Sequence, residues 1–137
     1  MSLFAGQNRD ALREAWRSAW RRQGDGLPLE PLQVQMVDLI GLHPEYHALM
    51  SAVAPADSPS AANAFLHLGL HLALREQLVT DRPRGIAAVH RRLGAAGSDA
   101  HDVEHRMIEV LAQTLWEAQR AGRMPDEQLY LEALRRL

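Results

Sequence analysis

Cysteine is absent from this sequence, and its absence removes several kinds of chemistry at once. Without cysteine there can be no disulfide, no thiolate nucleophile, and no zinc or iron–sulfur site built on sulfur ligands. Aromatic residues are also few, at 5% of the chain, and β-branched residues are scarce. Because both groups favour strands, their scarcity argues against a β-rich fold.

The sequence also lacks a strong charge of one sign and any long apolar run. Its formal net charge is −2, so no broad basic surface for nucleic acid or anionic lipid is expected. The N-terminal "MSLFAGQNRDALREAW" turns polar too early for a signal peptide, and no apolar run is long enough to span a bilayer. We therefore expect a cytoplasmic protein with no nucleic-acid partner and no membrane partner.

The residues that are abundant favour helices. Ala, Leu, Arg and Glu dominate, and no segment shows the alternating apolar pattern of a strand. The length of 137 residues suggests one core, so a single domain over residues 1–137 is expected. We predict an all-α fold, a helical bundle of four main helices plus one or two short ones.

Apolar periodicity and turn residues indicate where these helices begin and end. The four main helices are predicted at about residues 8–23, 31–42, 62–79 and 99–121. Short helices are predicted at about 83–93 and from Pro125 to the C-terminus, and residues 51–63 are predicted to be a loop. The segment "HPEYHALM" either continues the second helix with a kink at Pro44 or restarts it, because the residue before a proline resists the α conformation.

The seven histidines are spaced in an unusual way. Six of them form three HxxxH pairs, in "HPEYH", "HLGLH" and "HDVEH". Random placement would give about a third of one such pair, by simple counting of matches to the template. Residues four apart share a helix face, so two imidazoles placed in this way can bind one metal ion. The unpaired His90 is expected to be exposed and to serve as an internal control.

Helical periodicity turns all three pairs towards apolar faces. Glu104 lies within the apolar face of its helix, where a carboxylate is costly unless it is paired or bound to a metal. Arg75 and Glu76 are expected to point away from the histidine face of their helix. We predict the following metal ligands: His43, His47, His67, His71, His101, Glu104, His105 and Glu109.

Imidazole and carboxylate ligands without thiolate suit transition metals better than calcium or magnesium. Iron is the first choice, followed by zinc, manganese or nickel. The predicted ligands exceed the needs of one tetrahedral ion, so a two-metal site bridged by Glu104 is favoured. The candidates for an outer shell that orients the histidines are Glu45, Tyr46, Glu76 and Glu117.

Several known families show related ligand patterns. "HRMIE" and "HLGLH" are similar in spacing to motifs of hemerythrin-like four-helix bundles, whose di-iron site is held by histidines and bridging carboxylates. The "HD" at His101–Asp102 resembles the HD-type phosphohydrolases, and the histidines also resemble those of DinB-like bundles with one divalent metal. These resemblances imply a hemerythrin-like or DinB-like architecture.

A further resemblance spans nearly the whole chain. "GLPLEPL", "HPEYH", "FLHLGLHLALREQ", "HRMIE" and "LWEAQR" resemble an uncharacterised bacterial family, the domain of unknown function 1841. That resemblance implies a stand-alone helical domain defined by its histidine motifs, and it implies no activity.

Three hypotheses for function follow from these patterns. The first is a non-haem di-metal site, most simply di-iron, that reacts with dioxygen, peroxide or another small molecule. The second is a mononuclear zinc or nickel hydrolase or transferase of the HD-like or DinB-like kind. The third is a non-catalytic helical interaction module with a polar histidine core. The chain is expected to be a monomer or a homodimer.

Overall fold

The computed structural model describes residues 9–51 and 58–137, and the regular secondary structure of this part of the chain consists of helices, without strands. It contains α1 (Arg9–Gly24), α2 (Pro31–Gly41), α3 (His47–Met50), α4 (Pro59–Thr80), α5 (Ile86–Ala95), α6 (Ala100–Ala121) and α7 (Glu127–Arg135). The all-α prediction is confirmed. Four helices are long, as expected, and the short ones number three rather than one or two among the described residues.

The extra short helix comes from "HPEYHALM". His43 leaves the helical conformation at φ −125° and ψ 71°, as the residue before a proline is expected to do. A 3-10 helix over Pro44–Tyr46 follows, and α3 begins at His47. The sequence therefore restarts a helix here rather than continuing α2 with a kink.

Two predicted boundaries are wrong. Helix α4 begins at Pro59 instead of residue 62, because the Ser58 hydroxyl accepts a hydrogen bond from the Ala61 amide at 3.1 Å and Pro59 suits the first helical position. Residues 59–63 are therefore helical, and residues 52–57 of the predicted loop lie outside the described residues. Helix α5 begins at Ile86 rather than residue 83, since residues 83–85 form the turn before it.

The beginning of the chain is partly outside the described residues. The predicted start of the first helix at residue 8 and the polar N-terminal segment fall there, so the structure describes α1 from Arg9. Helix α1 ends at Gly24, and Gly26 adopts φ +69°, a conformation that glycine accepts at little cost. The described helices include none whose length and apolarity would let it cross a membrane.

The chain divides into two compact units, residues 1–72 and 73–137, and the boundary falls inside α4. In the first unit, α1 packs against α2 and α3. The core of this unit is formed by buried apolar side chains: Trp16, Ala19, Met36, Leu39, Ile40, Met50, Ala61, Phe65, Leu68 and Leu72. Trp16 and Ala19 of α1, three residues apart, therefore lie against the same core.

The second unit has its own apolar interior. Helices α5, α6 and α7 pack on one another, each through one apolar stripe. The buried side chains of these helices include Ile86, Val89, Leu93, Val103, Met107, Leu111, Tyr130, Leu131 and Leu134. The prediction of a single domain over residues 1–137 stays a prediction.

Candidate metal centre

Three histidine side chains converge in the first unit. His43 follows the end of α2, while His67 and His71 lie one turn apart on α4. The Nε2 atom of His67 is 3.2 Å from that of His43 and 3.1 Å from that of His71. One ligand nitrogen from each of the three rings lies within 4.8 Å of the others. We call these three residues the histidine cluster.

The histidine cluster is shielded from solvent. His71 is fully buried, His43 is 2% exposed, and His67 is half-buried. The rings meet edge to face, with centroids 4.7–5.0 Å apart. Buried polar groups of this kind need partners, because an unpaired one costs about 1–3 kcal/mol.

Local backbone geometry fixes the orientation of His43. Its Nδ1 atom lies 2.7 Å from the carbonyl oxygen of Leu39, one of the carbonyls that the end of α2 leaves without a helical partner. Because a carbonyl only accepts, His43 Nδ1 donates the proton, and Nε2 of the neutral ring carries a lone pair. This is the arrangement that commonly prepares a histidine to bind a metal ion.

Tyr46 forms one wall of the histidine cluster. Its ring stacks on His43 at 5.3 Å with an interplanar angle of 6°, and it meets His67 edge-on at 6.2 Å. Burial, with the nearby Glu45 carboxylate, raises the pKa of Tyr46, so the phenol stays neutral at physiological pH. The "HPEYH" motif thus supplies both a ring of the cluster and the aromatic wall beside it.

His47 contacts partners other than the histidine cluster, and its role as a metal ligand stays a prediction. Its Nε2 atom donates a hydrogen bond to the Ile40 carbonyl at 2.9 Å, and its ring packs on Trp20 at 4.7 Å. Among the described residues, His47 does not belong to the group whose nitrogens could share an ion. The spacing of the first HxxxH pair indicated a shared face, but the break before Pro44 turns the two rings towards different partners.

The second unit contains the third histidine pair. His101 and His105 are half-buried on α6, with ring centroids 4.1 Å apart. Glu104 between them is buried, as its place on the apolar face predicted. Glu109 is exposed, and the idea that it is a ligand remains untested.

Glu104 is held by a residue that the sequence analysis placed elsewhere. Arg75 is half-buried, and its Nε and Nη2 atoms lie 3.2 Å from Oε1 and 3.2 Å from Oε2 of Glu104. Such a bidentate ion pair explains how a carboxylate can be buried here without binding a metal ion. The signal that could have revealed it is the position of Arg75, four residues after His71 and close to the same face of α4.

The fold and the histidine cluster define an all-helical protein in which close-set histidines could bind a metal ion. A family model described as "Domain of unknown function (DUF1841)" matches residues 8–136, so the chain belongs to that family. No match was found among curated proteins, and none among solved structures. The family description specifies no activity, so function has to be argued from the side chains.

Proposed function

We propose that this protein binds one transition-metal ion through Nε2 of His43, His67 and His71. The observation that carries the proposal is the pair of Nε2–Nε2 separations, 3.2 and 3.1 Å. Two nitrogens bound to one tetrahedral zinc at the usual bond length lie about 3.3 Å apart. The histidine cluster is thus already close to the spacing that a shared ion requires.

Proton counting supports an ion over a hydrogen-bond network. Each Nε2–Nε2 hydrogen bond needs one proton and one lone pair, and His43 contributes a lone pair. If His67 Nε2 carries a proton, it can donate a well-aligned hydrogen bond to Nε2 of His43 or of His71, but not to both. If it carries a lone pair, it faces the lone pair of His43. A cation would accept the lone pairs of all three neutral rings.

Three histidines fill three positions around a tetrahedral ion, and water can occupy the fourth position. The roles of His101 and His105 as metal ligands stay predictions.

The ligand chemistry favours a mononuclear site. Imidazole suits zinc, iron, nickel and copper, and Arg75 already holds the carboxylate that would bridge two ions. A metal held by histidines with an open position supplies Lewis acidity for hydrolysis or group transfer, or redox chemistry with dioxygen or peroxide when it is iron. Bound zinc or nickel would therefore indicate a hydrolase or transferase, and bound iron would indicate a protein that reacts with dioxygen or peroxide.

The decisive experiment is elemental analysis with an absorption spectrum, on untagged protein purified without chelator. The expected result is about one transition metal per chain, falling at least about ten-fold in His71→Ala. His90→Ala is the matched control, because His90, which is half-buried on α5 rather than exposed as predicted, lies outside the histidine cluster. The proposal would be contradicted if the wild type and His71→Ala contained equal amounts of metal. It would also be contradicted if the wild type bound no metal after reconstitution with iron, zinc, manganese and nickel. Either result would favour a polar histidine core.

A di-metal site is the second candidate, and the close His101–His105 pair on α6 favours it. It requires about two metals per chain and, for ferric di-iron, a near-ultraviolet charge-transfer band. It also requires Glu104→Gln to lower the metal content. The di-metal site would be excluded, and the mononuclear site retained, if the wild type contained one metal per chain and Glu104→Gln contained the same amount.

A further inference from the structure

One side of α6 faces solvent with a mixed set of side chains. Asp102, Gln113, Trp116 and Arg120 are exposed, and a helix of 3.6 residues per turn places all four within one narrow arc. Asp102 lies in the first turn of α6 and Arg120 in the last turn. We call these four residues the exposed α6 face. It carries a negative charge at one end, a positive charge at the other end and an aromatic side chain between them.

Trp116 is the large apolar side chain of the exposed α6 face. It is 51% exposed, and the guanidinium carbon of Arg120 lies 4.8 Å from the centre of its ring. An open pocket next to the ring is lined by Trp116, Glu117, Arg120 and Ala121. Tryptophan and arginine are enriched among the residues that contribute most to binding at protein interfaces. The exposed α6 face therefore has the composition of an interface centre that is bordered by polar groups.

The charges on this face are complementary to those of a second copy that runs in the opposite direction. Asp102 and Arg120 form no ion pair with any other described residue. In an antiparallel pair of α6 helices, a two-fold axis places Asp102 of each copy opposite Arg120 of the other, so the favourable pairing occurs twice. A parallel pair would instead place like charges opposite each other, which is unfavourable. Charge complementarity thus favours a second copy of this chain as the partner, in the antiparallel direction.

We propose that this protein forms a symmetric dimer in which the exposed α6 face of one copy packs antiparallel on that of another. Trp116 is then removed from water on both copies, which is favourable because apolar surface is buried. One helix face, about 27 Å long between Asp102 and Arg120, covers less area than a standard stable interface, so the dimer is expected to dissociate on dilution. The face contains no residue of the histidine cluster, so the dimer stands independently of the proposed metal binding.

The test uses two charge-reversal variants of the full-length protein, Asp102→Arg and Arg120→Asp. Each variant alone places like charges opposite each other, and we expect its dimer to be weaker than the wild-type dimer by about ten-fold or more. An equimolar mixture of the two variants restores both pairs of opposite charge, so we expect it to form a heterodimer about as well as the wild type dimerises. Sedimentation velocity at a series of protein concentrations provides the measurement. Arg91→Asp is the matched control, because Arg91 is exposed on α5 and the same charge reversal there should leave the dimer unchanged.

The proposal is overturned if the wild type stays monomeric at every concentration, or if Arg120→Asp weakens the dimer no more than Arg91→Asp does. A wild-type dimer without a heterodimer in the mixture overturns the antiparallel register. Circular dichroism establishes that each variant is folded. If Asp102→Arg does not fold, Trp116→Ala takes its place. Dimerisation about ten-fold weaker in Trp116→Ala then supports the exposed α6 face as the interface, and unchanged dimerisation overturns it.

Discussion

His43 shows how one residue can be prepared for a function by its place in the chain. It stands before Pro44, where the backbone leaves the helix, and its ring returns to the Leu39 carbonyl. The proton on Nδ1 is thereby fixed, and Nε2 faces His67. A histidine inside an uninterrupted helix would find the same carbonyl occupied by a backbone amide.

Glu104 leads to a prediction about a single ion pair. Glu104→Ala leaves the cationic Arg75 half-buried without its carboxylate, and we expect it to lower the free energy of unfolding by about 3 kcal/mol. Urea denaturation followed by circular dichroism measures this loss. The matched control is Glu127→Ala, which breaks the exposed pair with Arg82 and should cost less than about 1 kcal/mol. Equal losses in the two variants would refute the prediction.

Tyr130 leads to a prediction about pH. Its phenol donates to Gln77 Oε1 at 2.7 Å, and burial raises the pKa of Tyr130 well above its usual value of 10.0. The folded state therefore holds the phenolic proton more tightly than the unfolded state does. This stabilisation is complete below pH 10 and is lost as the pH rises above that value, by at most about 1.4 kcal/mol per pH unit.

Tyr130→Phe tests this sign directly. The variant is expected to lose about 1 kcal/mol at neutral pH, because the hydrogen bond to Gln77 is gone. Its stability should then fall less steeply than that of the wild type above pH 10. Denaturant unfolding at a series of pH values from neutral to alkaline provides the measurement, and parallel curves for both proteins would contradict the assignment to Tyr130.

At the scale of the element, α4 is the helix on which the histidine cluster depends. His67 and His71 lie on it, and its first turns contribute Ala61, Phe65 and Leu68 to the core of the first unit. The same burial that packs these apolar side chains holds the two imidazoles in position. Histidine geometry and core packing on α4 are therefore expected to change together.

Leu68→Ala tests this dependence on packing. Leu68 is fully buried, so its truncation should cost about 2–5 kcal/mol in unfolding free energy and weaken metal binding at His67 and His71. Leu66→Ala is the matched control, because Leu66 is 48% exposed on the same helix. This substitution should lower the free energy of unfolding by less than about 1 kcal/mol. Chemical denaturation and metal titration of both variants provide the comparison. If Leu68→Ala were destabilised but kept the metal affinity of the wild type, the metal site would not depend on this packing, and the prediction would be wrong.

At the scale of the whole molecule, metal binding and stability should be linked. A ligand that binds only the folded state stabilises it, by about 2.7 kcal/mol when its free concentration is a hundred times Kd. Chelation should therefore lower the midpoint of thermal unfolding in the wild type, and added metal should restore it. Acid should act as chelation does, because protons compete with the metal for the imidazoles. The midpoint of thermal unfolding of His71→Ala should not change when chelator is added. If the wild-type midpoint did not change on chelation either, the linkage between metal binding and stability would be contradicted.

The sequence by itself determined the secondary structure and singled out the histidines that form the cluster. Helix-favouring composition, apolar periodicity and turn residues were enough for the all-α class and for four long helices near their observed positions. Local interactions decide these features, so local patterns predict them. The excess of HxxxH pairs also identified His43, His67 and His71, because the four-residue spacing is a property of a single helix turn.

Only the tertiary structure decided which of those residues meet. Helical spacing predicts a shared face within one helix, and it cannot predict the partner on another segment. It therefore grouped His47 with His43, although the break before Pro44 directs His47 to the Ile40 carbonyl. It also could not foresee that Arg75 holds Glu104, since twenty-nine residues separate them and only packing brings their charges together.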